Sequence, residues 1–296
     1  MKQTLVNVKH AIGRMYSLLY REAQYALGKS MRGDYQIAYR QIKAGGLLAD
    51  EAGEFHMIPN LRQGFSADPF LFEYKGTLYL FAEIMNNKKG VGEIGYCKWD
   101  GKRFSRWKII ISEAHHLSYP LVFQENGDIY IMPEAKSSHS LYLYKAKSFP
   151  DEWERLEPIV TGCNLCDTTL FDYQGEKLAF TTVYDEQGSH LRLLAFNDSL
   201  DQVVSYKELT DDKSVSRCGG HVILENGRYI RVAQDCSQMY GEKLIFLDFS
   251  IDKAGRFEDK ICKIISANEI KKNKPMKVTR IHTYNSCCGI EVIDLF

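Results

Sequence analysis

The sequence predicts an all-β fold, a five-bladed β-propeller preceded by an N-terminal amphipathic helix. Three observations predict it. One hairpin pattern recurs with its turn glycines, Gly76, Gly127, Gly175 and Gly227, spaced 51, 48 and 52 residues apart. Four strand-like runs fill each repeat, the content of one propeller blade. Two further strand-like runs precede the first repeat, where an incomplete fifth repeat needs them.

Taken in order, residues 1–33 read as the helix, with Leu5, Val8, Ile12, Met15, Leu19 and Ala23 on one stripe. Lys2, Lys9, Arg14, Arg21, Lys29 and Arg32 stand against the single acid Glu22. Such a basic helix either lies on an anionic membrane surface or packs against the propeller or a second copy. Residues 34–296 are the propeller, beginning with "DYQIAYRQI" (34–42) and "GEFHMIP" (53–59). The repeats then follow as "ADPFLFEYKGTLYLFAE", "SYPLVFQENGDIYIMPE", "CDTTLFDYQGEKLAFTT" and "GGHVILENGRYIRVAQ". Each pairs an apolar strand with a second strand rich in Tyr, Leu and Ile across a turn closed by glycine. Runs such as "GEIGYCKW", "WKIIIS", "SLYLYKA" and "RLEPIVTG" supply outer strands. The fifth hairpin, "RIHTYNSCCGIEVIDLF", ends the chain without outer strands. Segments 34–42 and 53–59 are therefore expected to complete the last blade, locking both chain ends together and leaving no open edge. The basic run at 269–280, "EIKKNKPMKVTR", reads as a solvated loop.

Composition narrows the function classes. Acids and bases balance at 38 each, so no net charge marks the chain for nucleic acid. No run approaches the ~18 apolar residues of a spanning helix and no signal peptide is legible, so a cytoplasmic protein is expected. Eight cysteines in 296 residues, the adjacent Cys287 and Cys288 among them, read as reduced thiols rather than a secreted framework. Cys163 and Cys166 form one CxxC without a second pair, and there is no HxH or HExxH, so neither a metal nor a cofactor is expected.

In a propeller the first strand of each blade lines the channel and the second returns. Positions eight before and seven after the turn glycine therefore share one mouth. They hold Asp68 and Glu83, Tyr119 and Glu134, Asp167 and Thr182, Gly219 and Gln234. Asp68, Glu134 and Asp167 are the candidate catalytic acids, since carboxylates crowded in a concave site take different pKa values and divide acid from base work. Asp68 also suits a plainer role, capping backbone N–H groups of a "DP" turn. Glu83, His116, Tyr119, Arg217, His221, Arg231, Gln234, Asp235, Tyr240, His282, Tyr284 and Asn285 are the candidate binding residues. Acids, Arg, His and aromatic rings together suit a sugar or sugar phosphate.

The ordered series "ADPFLFEYKGTLYLFAE", "GEIGY", "HLSYPLVF", "YIMPEA", "DEWERL", "CDTTLF", "RVAQDC", "YGEKL" and "HTYN" resembles the family named for the N-terminal domain of plant glucosamine inositolphosphorylceramide transferase. The resemblance covers roughly residues 34–296 and includes bacterial members associated with surface-polysaccharide genes. More distantly the chain is similar to the five-bladed family 43 glycoside hydrolases. These resemblances imply sugar chemistry on a five-bladed propeller, with Asp68 at the position of the hydrolases' base. The second acid of their pattern is replaced by Tyr119, and Glu134 matches their proton donor only approximately. Plant relatives carry a glycosyltransferase domain after the propeller, for which this sequence shows no counterpart. The resemblance leaves the direction of that chemistry open; the expected function is a glycosyltransferase, or a transferase component, in surface-glycan or glycolipid assembly, taking a sugar or sugar-phosphate donor and a glycan or glycolipid acceptor, with the N-terminal helix offering contact with the inner face of a membrane. An inverting glycosidase and a non-catalytic carbohydrate-binding propeller are the alternatives.

Overall fold

A computed structural model describes residues 35–42, 53–62, 64–185, 188–272 and 278–296; the expected helix at 1–33 and part of the 269–280 run lie outside them. Among the described residues twenty-three strands follow one another, and five blades, four of four strands and one of five, take all but two of them. Strand β1 is Gln36–Gln41 and β2 is His56–Met57. Blade one is β3 (Ser66–Tyr74), β4 (Thr77–Asn86), β5 (Val91–Lys98) and β6 (Lys108–Ile111). Blade two is β7 (Ser118–Glu125), β8 (Asp128–Glu134), β10 (Tyr144–Ser148) and β11 (Glu152–Arg155); β9 (Ser140–Leu141) and β12 (Val160–Thr161) form a separate short ladder beside it. Blade three is β13 (Leu165–Tyr173), β14 (Glu176–Asp185), β15 (Gly188–Phe196) and β16 (Val203–Thr210). Blade four is β17 (Arg217–Cys218), β18 (Ile223–Glu225), β19 (Arg228–Asp235), β20 (Lys243–Ile251) and β21 (Phe257–Ser266).

Blade five, in the order β2-β1-β23-β22, closes the ring as the sequence predicts: β22 (Tyr284–Cys287) and β23 (Ile290–Leu295) come from the C-terminus, while β1 and β2 supply the outer strands. β1 runs antiparallel to β23 from Gln36 opposite Leu295 to Gln41 opposite Ile290. Arg40 forms a buried ion pair with Glu291 across this seam, donates to Gly53 O at 2.9 Å and lies over the Phe55 ring at 4.5 Å.

The five inner hairpins turn through two residues that both take positive φ, the mirror-image turn whose twist matches paired strands. These are Lys75-Gly76, Asn126-Gly127, Gln174-Gly175, Asn226-Gly227 and Cys288-Gly289. Apolar residues of neighbouring blades meet face to face. Leu71, Leu80 and Cys97 meet Ile37 and Val292 between blades one and five, and Phe81, Ile94 and Tyr96 meet Ile131 and Tyr144 between one and two. Phe171, Phe180 and Phe249 join three to four, and Phe246 and Val232 meet Phe55 and Ile293 between four and five.

One strand differs from its expected form. The first strand of blade four is split into β17 and β18, with Gly219 and Gly220 between. Gly220 has φ +142, and a Cβ there would lie 1.9 Å from Tyr284 O, so blades four and five approach too closely for a regular strand.

Arg40→Met removes the cation facing buried Glu291. It is expected to lower unfolding free energy by ~3–5 kcal/mol, the usual cost of breaking a buried ion pair, measured by denaturant titration.

Candidate functional site at the channel mouth

The first strands of blades one to three begin with a bulge: register slips between Ala67 and Phe70, between Ser118 and Leu121, and between Cys166 and Thr169. The bulged residues Asp68, Tyr119 and Asp167 have φ of 51, 45 and 50, a conformation that costs a non-glycine residue of order 1–3 kcal/mol. Each turns its backbone N–H sideways toward an acid of the preceding blade. Asp68 N donates to Asp294 Oδ2 at 2.9 Å, Tyr119 N to Asp68 Oδ2 at 3.2 Å, and Asp167 N to Glu134 Oε2 at 3.2 Å. The plainer capping role for Asp68 is thus real, and it is shared by a chain of acids around the ring.

Two cations divide these acids. His282, buried at 3% exposure, places Nδ1 2.6 Å from Asp294 Oδ2 and Nε2 3.5 Å from Asp68 Oδ1, and stacks on Tyr35 with centroids 4.4 Å apart. Thr283 Oγ1 donates to Asp68 Oδ1 at 2.8 Å, while the His282 and Thr283 amides donate to Asp294 Oδ1 at 3.1 and 2.9 Å. On the other side Arg217 Nε donates to Asp167 Oδ2 at 2.6 Å, with Nη2 3.9 Å from Glu134 Oε2. Its guanidinium lies over Tyr240 at 4.6 Å and Tyr184 at 5.7 Å, and Lys136 Nζ approaches the Tyr184 ring at 4.1 Å. Gln234 Nε2 also donates to Asp167 Oδ2, at 3.2 Å. Glu83 sits between the two groups, its nearest basic group being His116 Nε2 at 3.5 Å.

Burial and mutual repulsion separate the protonation states. Burial lifts Asp68 to about 6, opposed by His282 and reinforced by Asp294 and Asp167. Burial, then the charges of Asp68, Glu134, Asp294 and Asp167, hold Glu83 well above the carboxylate range. Glu134 is likewise raised by burial and by Asp167, with Arg217 pulling only partly the other way. For His282 burial favours the neutral ring, but Asp294 and Asp68 together outweigh it and favour the imidazolium. Glu83 and Glu134, raised well above the carboxylate range, thus stand beside Asp68 at about 6, so carboxyls of different proton affinity share one site. Asp68, His282 and Asp294 also form a set whose ligand-type atoms lie within 4.8 Å of one another, close enough for a cation; here the imidazolium already bridges the two carboxylates.

Of the sequence-predicted residues, Asp68, Glu83, His116, Glu134, Asp167, Arg217, Gln234, Tyr240 and His282 gather at this mouth. Others stand elsewhere. Tyr119 is fully buried and crosses the channel, its hydroxyl meeting Thr169 Oγ1 at 2.8 Å and accepting from Gly220 N at 2.7 Å, so it forms the floor rather than a wall. His221 lies beside it, edge-on to Phe70 at 4.9 Å, and burial lowers its pKa to about 4. Asn285 joins blade five to blade one through Pro69 O at 2.6 Å. Three placements are corrected. Arg231 faces away from the mouth and donates to Asp259 Oδ2 at 2.7 Å and Val215 O at 2.8 Å. Asp235, on the opposite face of β19 from Gln234, accepts from the amide and hydroxyl of Ser237 at 2.9 and 2.6 Å. Tyr284 packs on Phe246 between blades four and five, with its hydroxyl 3.0 Å from Glu291 Oε2. Asp294, Thr283, Tyr35, Tyr184 and Lys136 are site residues that sequence reasoning missed.

These features define a five-bladed propeller with an acid-lined channel mouth. Residues 57–287 match the family described as Glucosamine inositolphosphorylceramide transferase 1, N-terminal, and the chain belongs to that family. It is 33% identical over 221 residues to Glucosamine inositolphosphorylceramide transferase 1 of Oryza sativa subsp. indica, covering 71% of this chain and 29% of the rice protein. It is 33% identical over 234 residues to the Arabidopsis thaliana protein of the same name, covering 72% of this chain and 30% of that protein. The chain thus spans under a third of the length of these relatives. Among solved structures it is similar in fold to an alpha-L-arabinofuranosidase from Lactobacillus brevis, with TM-score 0.55, 14% identity, and 75% and 79% of the two chains covered. It is also similar to a GH43_1 enzyme from Xanthomonas citri complexed with xylose, with TM-score 0.57, 12% identity, and 77% and 86% covered.

Because the folded pKa of Glu83 lies above its unfolded value, folding holds a proton that the unfolded chain loses above about pH 4.3. Its contribution to stability therefore falls as pH rises from there through the folded value. Glu83→Gln is expected to stabilise the protein, and by more at pH 8 than at pH 5, read from denaturant midpoints at the two pH values.

Proposed function

We propose that this domain is a carbohydrate-active catalyst that transfers a sugar to a hydroxyl acceptor in glycolipid or surface-glycan assembly. The observation that carries this reading is the coexistence, at one mouth, of Asp68 with a pKa of about 6 and of Glu83 and Glu134 held well above the ordinary range. In this reading Asp68 takes the proton of the acceptor hydroxyl, and the imidazolium of His282 stabilises the ionised form that must be present beforehand. Glu134 delivers a proton to the leaving oxygen. Asp167, fixed by Arg217 and Gln234, orients the sugar, whose ring face stacks on partly exposed Tyr240. Lys136 and Arg217, on the Tyr184 ring, receive the phosphate of the donor or acceptor. The family relationship supports a glycosphingolipid-type acceptor, since the rice and Arabidopsis relatives are named as inositolphosphorylceramide transferases. A location at the inner face of a membrane, reached through the basic segment at 1–33, belongs to the same proposal.

Hydrolysis is the second reading, favoured by the fold shared with the arabinofuranosidase and the GH43_1 enzyme and by Asp68 at the start of blade one. Water would then replace the acceptor hydroxyl above Asp68.

The test incubates the protein with activated sugar donors, inositolphosphoryl-lipid acceptors and aryl glycosides, separating lipid product from free sugar. Lipid glycosylation that falls at least ~100-fold in Asp68→Asn and in Glu134→Gln is the expected result. Free sugar released from aryl glycosides with the same mutational dependence would replace transfer by hydrolysis. Glycan binding without turnover, unchanged in both variants, would remove the catalytic reading.

A further inference from the structure

Four of the five inner-hairpin turns place Lys75, Asn126, Gln174 or Asn226 at their first left-handed position; the fifth places Cys288 there, with φ 50. Cysteine, like Lys75, lacks the side-chain amide or carboxylate that eases this conformation in Asn. Its neighbour Cys287 ends β22, and the two sulfurs lie 3.5 Å apart. Among the described residues no other two thiols touch. Cys97, Cys166 and Cys218 are buried singly, and the Cys262 thiol faces Phe246 O. The pair sits at the turn of blade five, at the opposite end of that hairpin from Thr283 and Asp294, so it is separate from the acid-lined mouth. Cys288 is exposed and Cys287 half-buried.

We infer that Cys287 and Cys288 form a reversible redox-modification site, closing to a disulfide between adjacent residues when a low-molecular-weight disulfide of the glutathione type reaches the exposed Cys288. The Cys288 thiolate attacks one sulfur of the reagent and expels one glutathione thiolate. Cys287, giving its proton to water, then attacks Cys288 Sγ and expels the second. Two protein thiols are oxidised, one glutathione disulfide is reduced to two glutathione thiols, and no other oxidant is required. The order follows from the environment: burial and the adjacent Cys288 push the Cys287 thiol up to about 12, so it acts second, at close range. Bond formation must draw the sulfurs from 3.5 Å to about 2.0 Å. Adjacent Cα atoms, about 3.8 Å apart across a trans peptide, are closer than the 4.4–6.8 Å usual for disulfides, so the ring is strained and readily reduced.

The strain falls on the closing seam. Gly289 O, the next carbonyl along the turn, accepts the amide of Ile42 at 2.9 Å, just beyond the end of β1. Distorting the turn weakens the hold of the N-terminal strand on the C-terminal hairpin, so oxidation reports to the ring closure itself.

Trypsin releases residues 281–296 as one peptide whose only cysteines are Cys287 and Cys288. The full chain is treated with glutathione disulfide, alkylated, digested and weighed. The expected peptide has lost two hydrogens, carries neither glutathione nor alkyl label, and is restored by dithiothreitol. Melting temperature should fall by at least about 2 °C on oxidation and recover on reduction. Cys288→Asn, which installs the residue of the blade-four turn, should leave melting insensitive to the reagent. Two alkylated thiols, a stable glutathione adduct, or a peptide cross-linked between copies would each overturn the site. A closed peptide with unchanged melting temperature would overturn its coupling to the seam.

Discussion

The structure depends on one constraint, that backbone N–H groups turned sideways by the bulges at the channel mouth must find acceptors where water is scarce. The acceptors are carboxylates. Asp294 serves the amides of Asp68, His282 and Thr283, Asp68 serves Tyr119, and Glu134 serves Asp167. The acids that suggest chemistry are therefore also the joints between blades. The proposed catalysis would make the same demand on them as assembly does, because a carboxylate fixed by the neighbouring blade is pre-positioned for whatever binds above it.

Burying so many acids together is costly unless charge is matched or removed. The protein does both. His282 matches Asp68 and Asp294, Arg217 matches Asp167, and Glu83 and Glu134 are pushed toward their neutral forms. The result is a mouth in which some acids are matched by a cation and others are raised toward the neutral form. Tyr119 closes the floor beneath both, and its hydroxyl ties blade two to blades three and four at the centre of the ring.

Much of this was legible in the sequence because a propeller writes its architecture as a period. The turn glycines fixed the blades, and counting outward from them found Asp68, Glu83, Glu134 and Asp167. The same count missed Asp294, which stands five residues after Gly289 rather than seven. The blade-five hairpin runs from Cys287 to Tyr284 without a slip in register, and its acid faces the channel two positions nearer the turn. Arg231 and Asp235 were misplaced because odd offsets from Gln234 put them on the other face of β19. Tyr284 was misplaced for the same reason beside Thr283. Tyr35, Tyr184 and Lys136 belong to connecting or outer positions that no repeat marks, and only the assembled ring brings them to the mouth. The broken first strand of blade four was hidden because two glycines in an apolar run do not reveal a neighbouring backbone.

The most direct measurement is carbon-detected NMR of the side-chain carboxyls in Asp- and Glu-labelled protein, titrated across pH 4–9. The account predicts that Asp68 titrates near 6 and that the Glu83 and Glu134 carboxyls titrate well above the ordinary carboxylate range. Titration of all three in the ordinary range near pH 4 would mean that the mouth is open to water and its acids independent, and the difference in their proton affinities would be contradicted.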